Sequence, residues 1–293
     1  MRIMPPYIDL HLHSSCSDGS YPPEAVVALA EKAGLTAIAL ADHDNVDGID
    51  RMTSAAAKLG LECVMGVELS VVWGDLHDVH LLGYGFDHKD PALVNELALA
   101  RDYRENRNEK IVERVNQCLA GEGKSPLCFE AIRVSADGTV GRPHIGLALV
   151  KVGHVKDMEE AFQRYLVPCN VEKRLFPIRD AIELIQQAGG VSILAHPPYI
   201  TRDRAKFSNM LDALADYGLD GIEAYNSGAG PTETGWYLTE ARRRGLLVTG
   251  GSDFHGHEDD ASRIGFAACQ QRIPYSCFTE LKECLARRGG GTG

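Results

Sequence analysis

The sequence lacks several features that would assign it at once to a class of protein. It has no run of about 18 apolar residues, the length a helix needs to span a bilayer. Its first six residues carry no apolar stretch of the kind found in signal peptides. None of its eight cysteines forms a C-x-x-C pair, so a disulfide framework is not expected. We therefore expect a cytoplasmic protein without a membrane partner.

Positive charge is also scarce. Lys and Arg number 30 against 41 Asp and Glu, which gives a formal net charge of -11. Because proteins that bind duplex nucleic acid usually present a basic face, we expect no duplex DNA partner. A small nucleotide or a short RNA stays open as a substrate. Bound cations would offset part of the charge if some of the acids are metal ligands.

The sequence does contain a repeated pattern of short strands and helices. Residues 7–13 alternate between apolar and polar and predict a strand with His11 and His13 on one face. Strands alternating with helices predict parallel βα units, and polar residues at successive strand ends indicate the mouth of an α/β barrel. Further strands are predicted at 36–41, 63–68, 77–84, 190–195, 221–225 and 246–251.

Residues 101–176 break this pattern. A charged helix over 101–119 is followed by glycine-containing turns and a helix near 157–165, without a clear strand. We predict a mostly helical insert or lid, so that the barrel domain is discontinuous and spans 1–100 and 177–286. Residues 287–293 are expected to form a disordered tail.

Groups that can bind metal ions end most of the predicted strands. Imidazole and carboxylate together suit Zn, Mn or Fe. Ten such groups exceed what one ion can use, and they fit two or three ions that share bridging carboxylates. The groups are His11, His13, Asp18, Asp42, His43, Glu68, His80, His196, Asp253 and His255.

Six motifs in these segments resemble the PHP (polymerase and histidinol phosphatase) superfamily: DLHLHSSCSDG, ADHDN, GVELS, HLLGYGF, LAHP and GSDFHG. The resemblance implies an α/β fold, a distorted (β/α)7 barrel with a trinuclear metal site. It implies a first ion held by His11, His13, Glu68 and Asp253. It further implies a second ion held by Glu68, His80 and His196, and a third held by Asp18, His43 and His255. Some family members carry His in place of Asp18, so the third site here could differ in affinity or metal.

The chemistry expected of such a cluster is phosphate ester hydrolysis. Three divalent ions are expected, with Mn favoured and Fe or Zn open. A metal-bound hydroxide would attack phosphorus in line, so no side-chain nucleophile is needed. Asp42 directly precedes His43, and we expect it to orient that ligand, with N-capping of the next helix as the alternative.

The segments GRPHIGLALV and DMEEAFQRYL are similar to one branch of the family, the 3',5'-nucleotide bisphosphate phosphatases, whose relatives trim RNA 5' ends. This similarity implies removal of the 3'-phosphate from pAp, giving AMP and phosphate. Cationic side chains suit the second phosphate, while Tyr and Asn side chains past strand ends suit the base or ribose. A surface or packing role is the alternative for each. The expected substrate contacts are Arg142, His144, Lys173, Arg202, Arg204, Tyr199 and Asn226.

Other functions stay open at the level of sequence. A 5'-3' exoribonuclease on short RNA would use the same metals on a diester, and a histidinol-phosphate-type phosphatase would use them on another monoester. The lack of a basic aromatic groove disfavours long nucleic acids. A non-catalytic metal-stabilised scaffold and an amide-bond hydrolase are the remaining alternatives.

Overall fold

The computed structural model describes residues 5–136, 140–172, 174–256 and 263–289. The chain forms two units, the first made of Met1–Asn95 and Leu175–Gly293 and the second of Glu96–Arg174. Lys173, one of the expected substrate contacts, lies outside the described residues, as do residues 290–293 of the expected tail.

The first unit is built on a sheet of nine strands. The strands are β1 (Tyr7–Leu12), β2 (Ala37–Leu40), β3 (Glu62–Trp73), β4 (Leu76–Tyr84), β5 (Val191–Leu194), β6 (Gly221–Tyr225), β7 (Leu247–Gly250), β8 (Phe266–Ala267) and β9 (Gln271–Pro274). Their order is β7-β6-β5-β4-β3-β2-β1-β9-β8. The segment after β7 returns to β1, where the Asp253 amide donates to the His11 carbonyl at 3.0 Å. The first seven strands therefore form a nearly closed barrel, which confirms the predicted α/β barrel.

The direction of one strand differs from the prediction. β1–β2, β2–β3, β5–β6 and β6–β7 are parallel pairs, but β4 is antiparallel to both β3 and β5. Only Gly74 and Asp75 separate β3 from β4. A parallel connection needs a crossover of about a dozen residues, so this short link can only form a hairpin. The expectation of uniformly parallel strands was wrong at this point.

Eleven helices are present in the described residues. They are α1 (Pro23–Lys32), α2 (Ile49–Leu59), α3 (Pro91–Gly121), α4 (Phe129–Ser135), α5 (Arg142–Lys151), α6 (Met158–Ala161), α7 (Ile178–Gln187), α8 (Pro197–Ile200), α9 (Arg204–Asp216), α10 (Pro231–Arg243) and α11 (Tyr275–Arg288). None of the helices in the described part of the chain is long and apolar enough to cross a membrane.

Helix α7 illustrates how these helices pack. Its buried residues are Ile178, Ala181, Ile182 and Ile185, spaced three or four apart so that they lie on one face. Ile185 packs over Gly83 of β4, where an added Cβ would lie only 2.5 Å from the Ile185 Cδ1 atom. Burial of each large apolar side chain contributes roughly 1.5–3 kcal/mol. Apolar contacts such as these stabilise the packing of helices on the outer face of the barrel. The polar residues of the candidate site are found elsewhere, near the ends of its strands.

The described residues of the second unit form helices joined by loops, and they have their own apolar core. Ile111, Val115, Ile145 and Leu149 are buried in it together with Tyr165. Helix α3 is longer than the predicted 101–119. The helix expected near 157–165 consists of α6 and a π-helical turn over Phe162–Leu166.

The C-terminal end of the first unit departs from one expectation. Arg287 and Arg288 form the last turn of α11, so the prediction that they belong to a disordered tail was wrong. The helix places Leu281 and Leu285 in the core, and this burial holds its last turns in place.

Candidate metal centre

The groups predicted to bind metal come together from the ends of several strands and from within β3 and β4. His11 lies in β1 and His13 directly after it, while Glu68 and His80 lie within β3 and β4. His43 follows β2, and its backbone forms an isolated parallel β-bridge with that of Glu68. His196 follows β5, and both Asp253 and His255 follow β7. Adjacent strand ends thus bring residues from across the sequence together.

Among the described residues, three overlapping groups of side chains have donor atoms within 4.8 Å of one another. The first group is His11, His13, Glu68 and Asp253; the second is His43, Glu68 and His80; the third is His13, Asp18, His43 and His255. His13, His43 and Glu68 each belong to two groups. The groups differ from the ligand sets implied by resemblance in two ways. His43 takes the place of His196 beside Glu68 and His80, and His13 joins Asp18, His43 and His255.

Glu68 is the centre of this arrangement. Its Oε1 lies 2.8 Å from His80 Nδ1 and 3.0 Å from His196 Nε2. Its Oε2 lies 3.2 Å from His11 Nε2 and 3.0 Å from His43 Nδ1. Donor atoms that share one ion at about 2.1 Å lie about 3–3.5 Å apart. Each oxygen of Glu68 therefore lies near its own pair of imidazole nitrogens, at separations that ligands of one ion would have.

Several buried donor atoms in the cluster have no hydrogen-bond partner among the described residues. They include His11 Nε2, His13 Nδ1 and Glu68 Oε2. Leaving a buried polar atom unpaired costs about 1–3 kcal/mol, and such atoms are rare in native proteins. Divalent cations held by these donor groups would give such atoms partners, so the residues present fit a metal centre.

The carboxylates of the cluster remain ionised. Burial alone would raise the pKa of Glu68, but the nearby charges of His43 and other imidazoles outweigh it and hold the pKa well below its ordinary value. Burial and the charge of His43 likewise oppose each other at Asp18, whose pKa is also held low. At Asp253, the charge of His11 overcomes burial and lowers the pKa. Three anionic carboxylates in one place require positive charge, from cations or from protonated imidazoles.

The imidazoles divide into two kinds. Burial, followed by the charge of His255, lowers the pKa of His13 to about 3, and burial lowers that of His80. These rings are neutral near pH 7 and present a lone pair. Burial alone would lower the pKa of His255, but its hydrogen bond with Asp18 has the larger effect and raises the pKa to about 10. Metal binding at His255 must therefore displace a proton.

Asp42 supports the loop after β1. Its carboxylate accepts hydrogen bonds from the Ser14 amide at 2.8 Å, the Ser14 hydroxyl at 2.7 Å and the Ser17 hydroxyl at 2.5 Å. Burial raises its pKa to about 6. Asp42 thus fixes the segment that carries Asp18. The capping alternative is wrong, because α2 begins after Gly48 and has no side-chain cap.

Two buried acids were not among the predicted site residues. Glu223 in β6 lies 2.9 Å from His11 Nδ1 and accepts from the His196 amide at 2.8 Å. Asp9 accepts from the Ser252 amide at 2.9 Å and so ties the segment before Asp253 to β1. An acid inside an apolar strand such as GIEAY is the sequence signal that identifies such residues, since it needs a buried partner.

Backbone strain is concentrated at the same place. His196 has a φ of 24° and Asp253 a φ of 58°, values that are costly for residues with a Cβ. Such strain persists only where neighbouring contacts hold it, and it clusters at functional sites. Here the His196 amide is held by Glu223 and the Asp253 amide by the His11 carbonyl.

The expected substrate contacts of the first unit have different environments. The Tyr199 ring is 56% exposed and lies 5.3 Å from the His196 ring, centroid to centroid. The buried side-chain amide of Asn226 donates to the Glu223 backbone carbonyl at 2.9 Å and accepts from the Gly228 backbone amide at 3.0 Å. Asn226 thus shapes the loop after β6.

Two arginines near α9 already have local partners. Arg202 pairs with Glu233 at 2.7 Å, and the Arg204 guanidinium lies 5.1 Å from the centre of the Trp236 ring. Both arginines are exposed, and a phosphate would have to compete with these partners.

Arg142 and His144 begin helix α5 of the second unit. The His144 ring accepts a hydrogen bond from the Gly141 amide at 2.9 Å and so caps the helix. The Arg142 guanidinium lies 5.7 Å from the centre of the Phe162 ring. His144 thus has a local structural role, while Arg142 retains a charged group at a helix N-terminus.

Comparison with known proteins shows which family the chain resembles. The PHP domain family matches residues 9–167. A 3',5'-nucleoside bisphosphate phosphatase of Chromobacterium violaceum is 32% identical over 96% of this chain and 97% of its own. A 5'-3' exoribonuclease of Haemophilus influenzae is 33% identical over 84% of this chain and 89% of its own. The structure of a candidate metal-dependent phosphoesterase from Bifidobacterium adolescentis covers 96% of this chain and 98% of its own, at 30% identity and a TM-score of 0.81. On the grounds of the matched motifs and the fold, this chain belongs to the PHP domain family.

Proposed function

We propose that this protein is a metal-dependent phosphomonoesterase that removes the 3'-phosphate from nucleoside 3',5'-bisphosphates such as pAp. Its family membership makes it a hydrolase acting on phosphoric esters. The observation that carries the proposal is the continuous set of donor groups joined through His13, His43 and Glu68, which suits several ions acting on one phosphate.

Each ion has a proposed set of ligands. The first ion would be held by His11, His13, Glu68 and Asp253, the second by Glu68, His80 and His196, and the third by Asp18, His43 and His255. Divalent ions supply a nucleophile from water at neutral pH and neutralise charge on the transferring phosphoryl group. We propose Mn as the native metal, with Fe and Zn as alternatives suited to the same ligands.

The chain's own residues hold this chemistry in place. Glu68 is fully buried and ionised, and it presents one oxygen to His80 and His196 and the other to His11 and His43. The amide of His196 is fixed by a hydrogen bond. These contacts hold the donor atoms rigidly, which favours the geometry of the transition state over that of the free substrate.

The substrate part of the proposal draws on similarity and on charge. The bisphosphate phosphatase relative aligns over nearly the whole chain, including the second unit. We propose that Tyr199, exposed beside His196, contacts the base or ribose. Arg142 is the leading candidate for binding the second phosphate, with His144 supporting it through its cap of α5. Lys173, Arg202 and Arg204 are separate, alternative candidates for the same role.

The direct test measures phosphate release by Mn-loaded protein from pAp, AMP, 3'-AMP and histidinol phosphate. The expected result is fast release from pAp with AMP as the product and slow release from the monophosphates. Comparable rates on all four esters would contradict selection of a second phosphate. Fast release from histidinol phosphate alone would replace the proposed substrate with that monoester.

The second candidate function is 5'-3' exoribonuclease activity on short RNA, favoured by the 33% identity to the Haemophilus influenzae enzyme. It would use the same ligands on a phosphodiester. A 5'-phosphorylated RNA of a few nucleotides distinguishes the two functions. Rapid shortening of the RNA with little release from pAp would keep the metal centre and reject the phosphomonoesterase assignment.

The role of Arg142 has its own test. Arg142→Ala should reduce kcat/KM for pAp at least tenfold, because a charged pair to phosphate contributes about 1.5–3 kcal/mol, and should leave a simple ester unaffected. Arg133→Ala is the control, since Arg133 is an exposed arginine of the same unit that pairs with Glu130. Equal losses on both substrates would reject the second-phosphate role.

A further inference from the structure

We infer that Glu223 is a positioning residue that keeps the proton of the His11 ring on Nδ1, so that Nε2 is free to bind a divalent cation. The inference rests on the proposed metal-dependent function and adds a residue that the motifs do not contain.

The contacts of Glu223 connect two of the proposed ligands. One carboxylate oxygen, Oε1, lies 2.9 Å from His11 Nδ1. The other, Oε2, accepts from the backbone amide of His196 at 2.8 Å. Glu223 and His11 are fully buried, and His196 is 5% exposed. Because the site is buried, the hydrogen-bond donors in these two contacts need acceptors within the protein rather than from solvent.

The donor and acceptor roles follow from these contacts. A carboxylate can only accept hydrogen bonds, and a backbone amide can only donate one. The His11 ring must therefore carry its proton on Nδ1, and in the neutral ring Nε2 has a lone pair. That nitrogen lies 3.2 Å from Glu68 Oε2 and 3.5 Å from Asp253 Oδ1, within the first group of metal-binding donors. Pairs of a carboxylate with a metal-binding histidine are a common means of fixing the ring.

A glutamine at this position reverses the arrangement without changing its size. Gln offers one acceptor oxygen and one donor NH2. The His196 amide is an obligatory donor, so it takes the oxygen. The NH2 group then faces His11 Nδ1, which can accept only if the ring proton moves to Nε2. A protonated Nε2 cannot bind a metal ion. Turning the amide the other way sets its NH2 group against the His196 amide, which leaves two donors in contact.

The variant test compares Zn²⁺ binding by metal-stripped wild-type protein, Glu223→Gln and Glu240→Gln, with a competing chromophoric chelator. Glu240 is the matched control, a buried glutamate of α10 that bonds Arg244 at 2.9 Å. We expect Glu223→Gln to weaken zinc affinity about 10- to 100-fold, the range for residues that support a ligand. Glu240→Gln should leave affinity within about twofold of wild type. Wild-type affinity in Glu223→Gln would overturn the inference.

A second measurement does not depend on the folding of a variant. In zinc-loaded wild-type protein with ¹⁵N-labelled histidine, the His11 ring should show a protonated Nδ1 in slow exchange and no proton on Nε2. A proton on Nε2 would overturn the inference. If the wild-type protein binds no divalent metal, the proposed function fails with it, whereas normal wild-type binding that Glu223→Gln leaves intact overturns the role of Glu223 alone.

Discussion

Replacing Gly251 with alanine measures how tightly the barrel closes at the candidate metal centre. A Cβ atom at this position would lie 2.0 Å from the His11 Cβ, 2.7 Å from its amide nitrogen and 2.8 Å from its Cα. Carbon atoms in ordinary contact are about 3.5–4.0 Å apart. The segment after β7 would therefore have to separate from β1 by about 1.5–2 Å.

This separation should affect both stability and metal binding. The atoms in the way belong to the β1 backbone and to a Cβ, which cannot rotate aside, so we expect a cost of about 3 kcal/mol, the upper part of the usual range for overpacking. His11 Nε2 and Asp253 Oδ1 are 3.5 Å apart and lie on the two segments that separate. Metal–ligand distances tolerate only about 0.2 Å, so the first group should lose its ion.

The assay is urea unfolding of the metal-free protein, combined with metal content after dialysis. Gly235→Ala is the matched control, because Gly235 lies inside α10 and a Cβ there meets nothing within 4 Å. That control should gain up to about 1 kcal/mol from the better helix propensity of alanine. If Gly251→Ala unfolds at the wild-type urea concentration and keeps its metal, the reasoning from close packing is refuted.

Three further outcomes can be checked directly. Glu68→Gln should lose more than one bound metal ion per chain by elemental analysis, since Glu68 belongs to two donor groups; loss of one ion or fewer would contradict its shared role. Cys118 and Cys169 have sulfur atoms 3.6 Å apart, so diamide should oxidise the two thiols to one disulfide, with diamide reduced to the hydrazine. Peptide mapping of wild type and Cys118→Ser identifies the cross-link, and its absence in wild type would count against the geometry. Burial raises the pKa of Cys277 to about 12, so this thiol should resist iodoacetamide at pH 8 while the exposed Cys128 reacts. Mass spectrometry of the labelled native protein measures both, and equal labelling would show that Cys277 is accessible.

Much of the fold could be predicted because local sequence determines it. Alternation in Tyr7–Leu12 identifies a strand, and the predicted strand at 221–225 coincides with β6. The direction of β4 was missed because an alternating pattern is the same in both directions. The two residues Gly74 and Asp75 between the strands held the needed information, since a link that short forces a hairpin.

Residues of the candidate site could be predicted where a sequence motif contains a metal-binding residue type. They were harder to predict where their role depends on contacts made only in the folded barrel. The structure brings His11, His13 and Glu68 together, and their binding of metal stays a prediction. The strand sequence GIEAY indicates that Glu223 is a buried acid, but its two hydrogen-bond partners, His11 and the His196 amide, could not be assigned from sequence. The partners of a buried acid depend on the packing of the whole barrel, which no local pattern specifies.

The closure of the barrel by the segment after β7 has a consequence for synthesis of the chain. His13 and Asp253 are 240 positions apart, yet they are joined by a 3.1 Å contact. Contacts of such long range form late, because the entropy of the intervening chain must first be overcome. On the ribosome, β1 leaves the exit tunnel well before its closing segment is translated. The nascent protein therefore carries an incomplete set of the candidate metal ligands, with an open barrel edge at β1, until the segment with Asp253 and His255 has been translated.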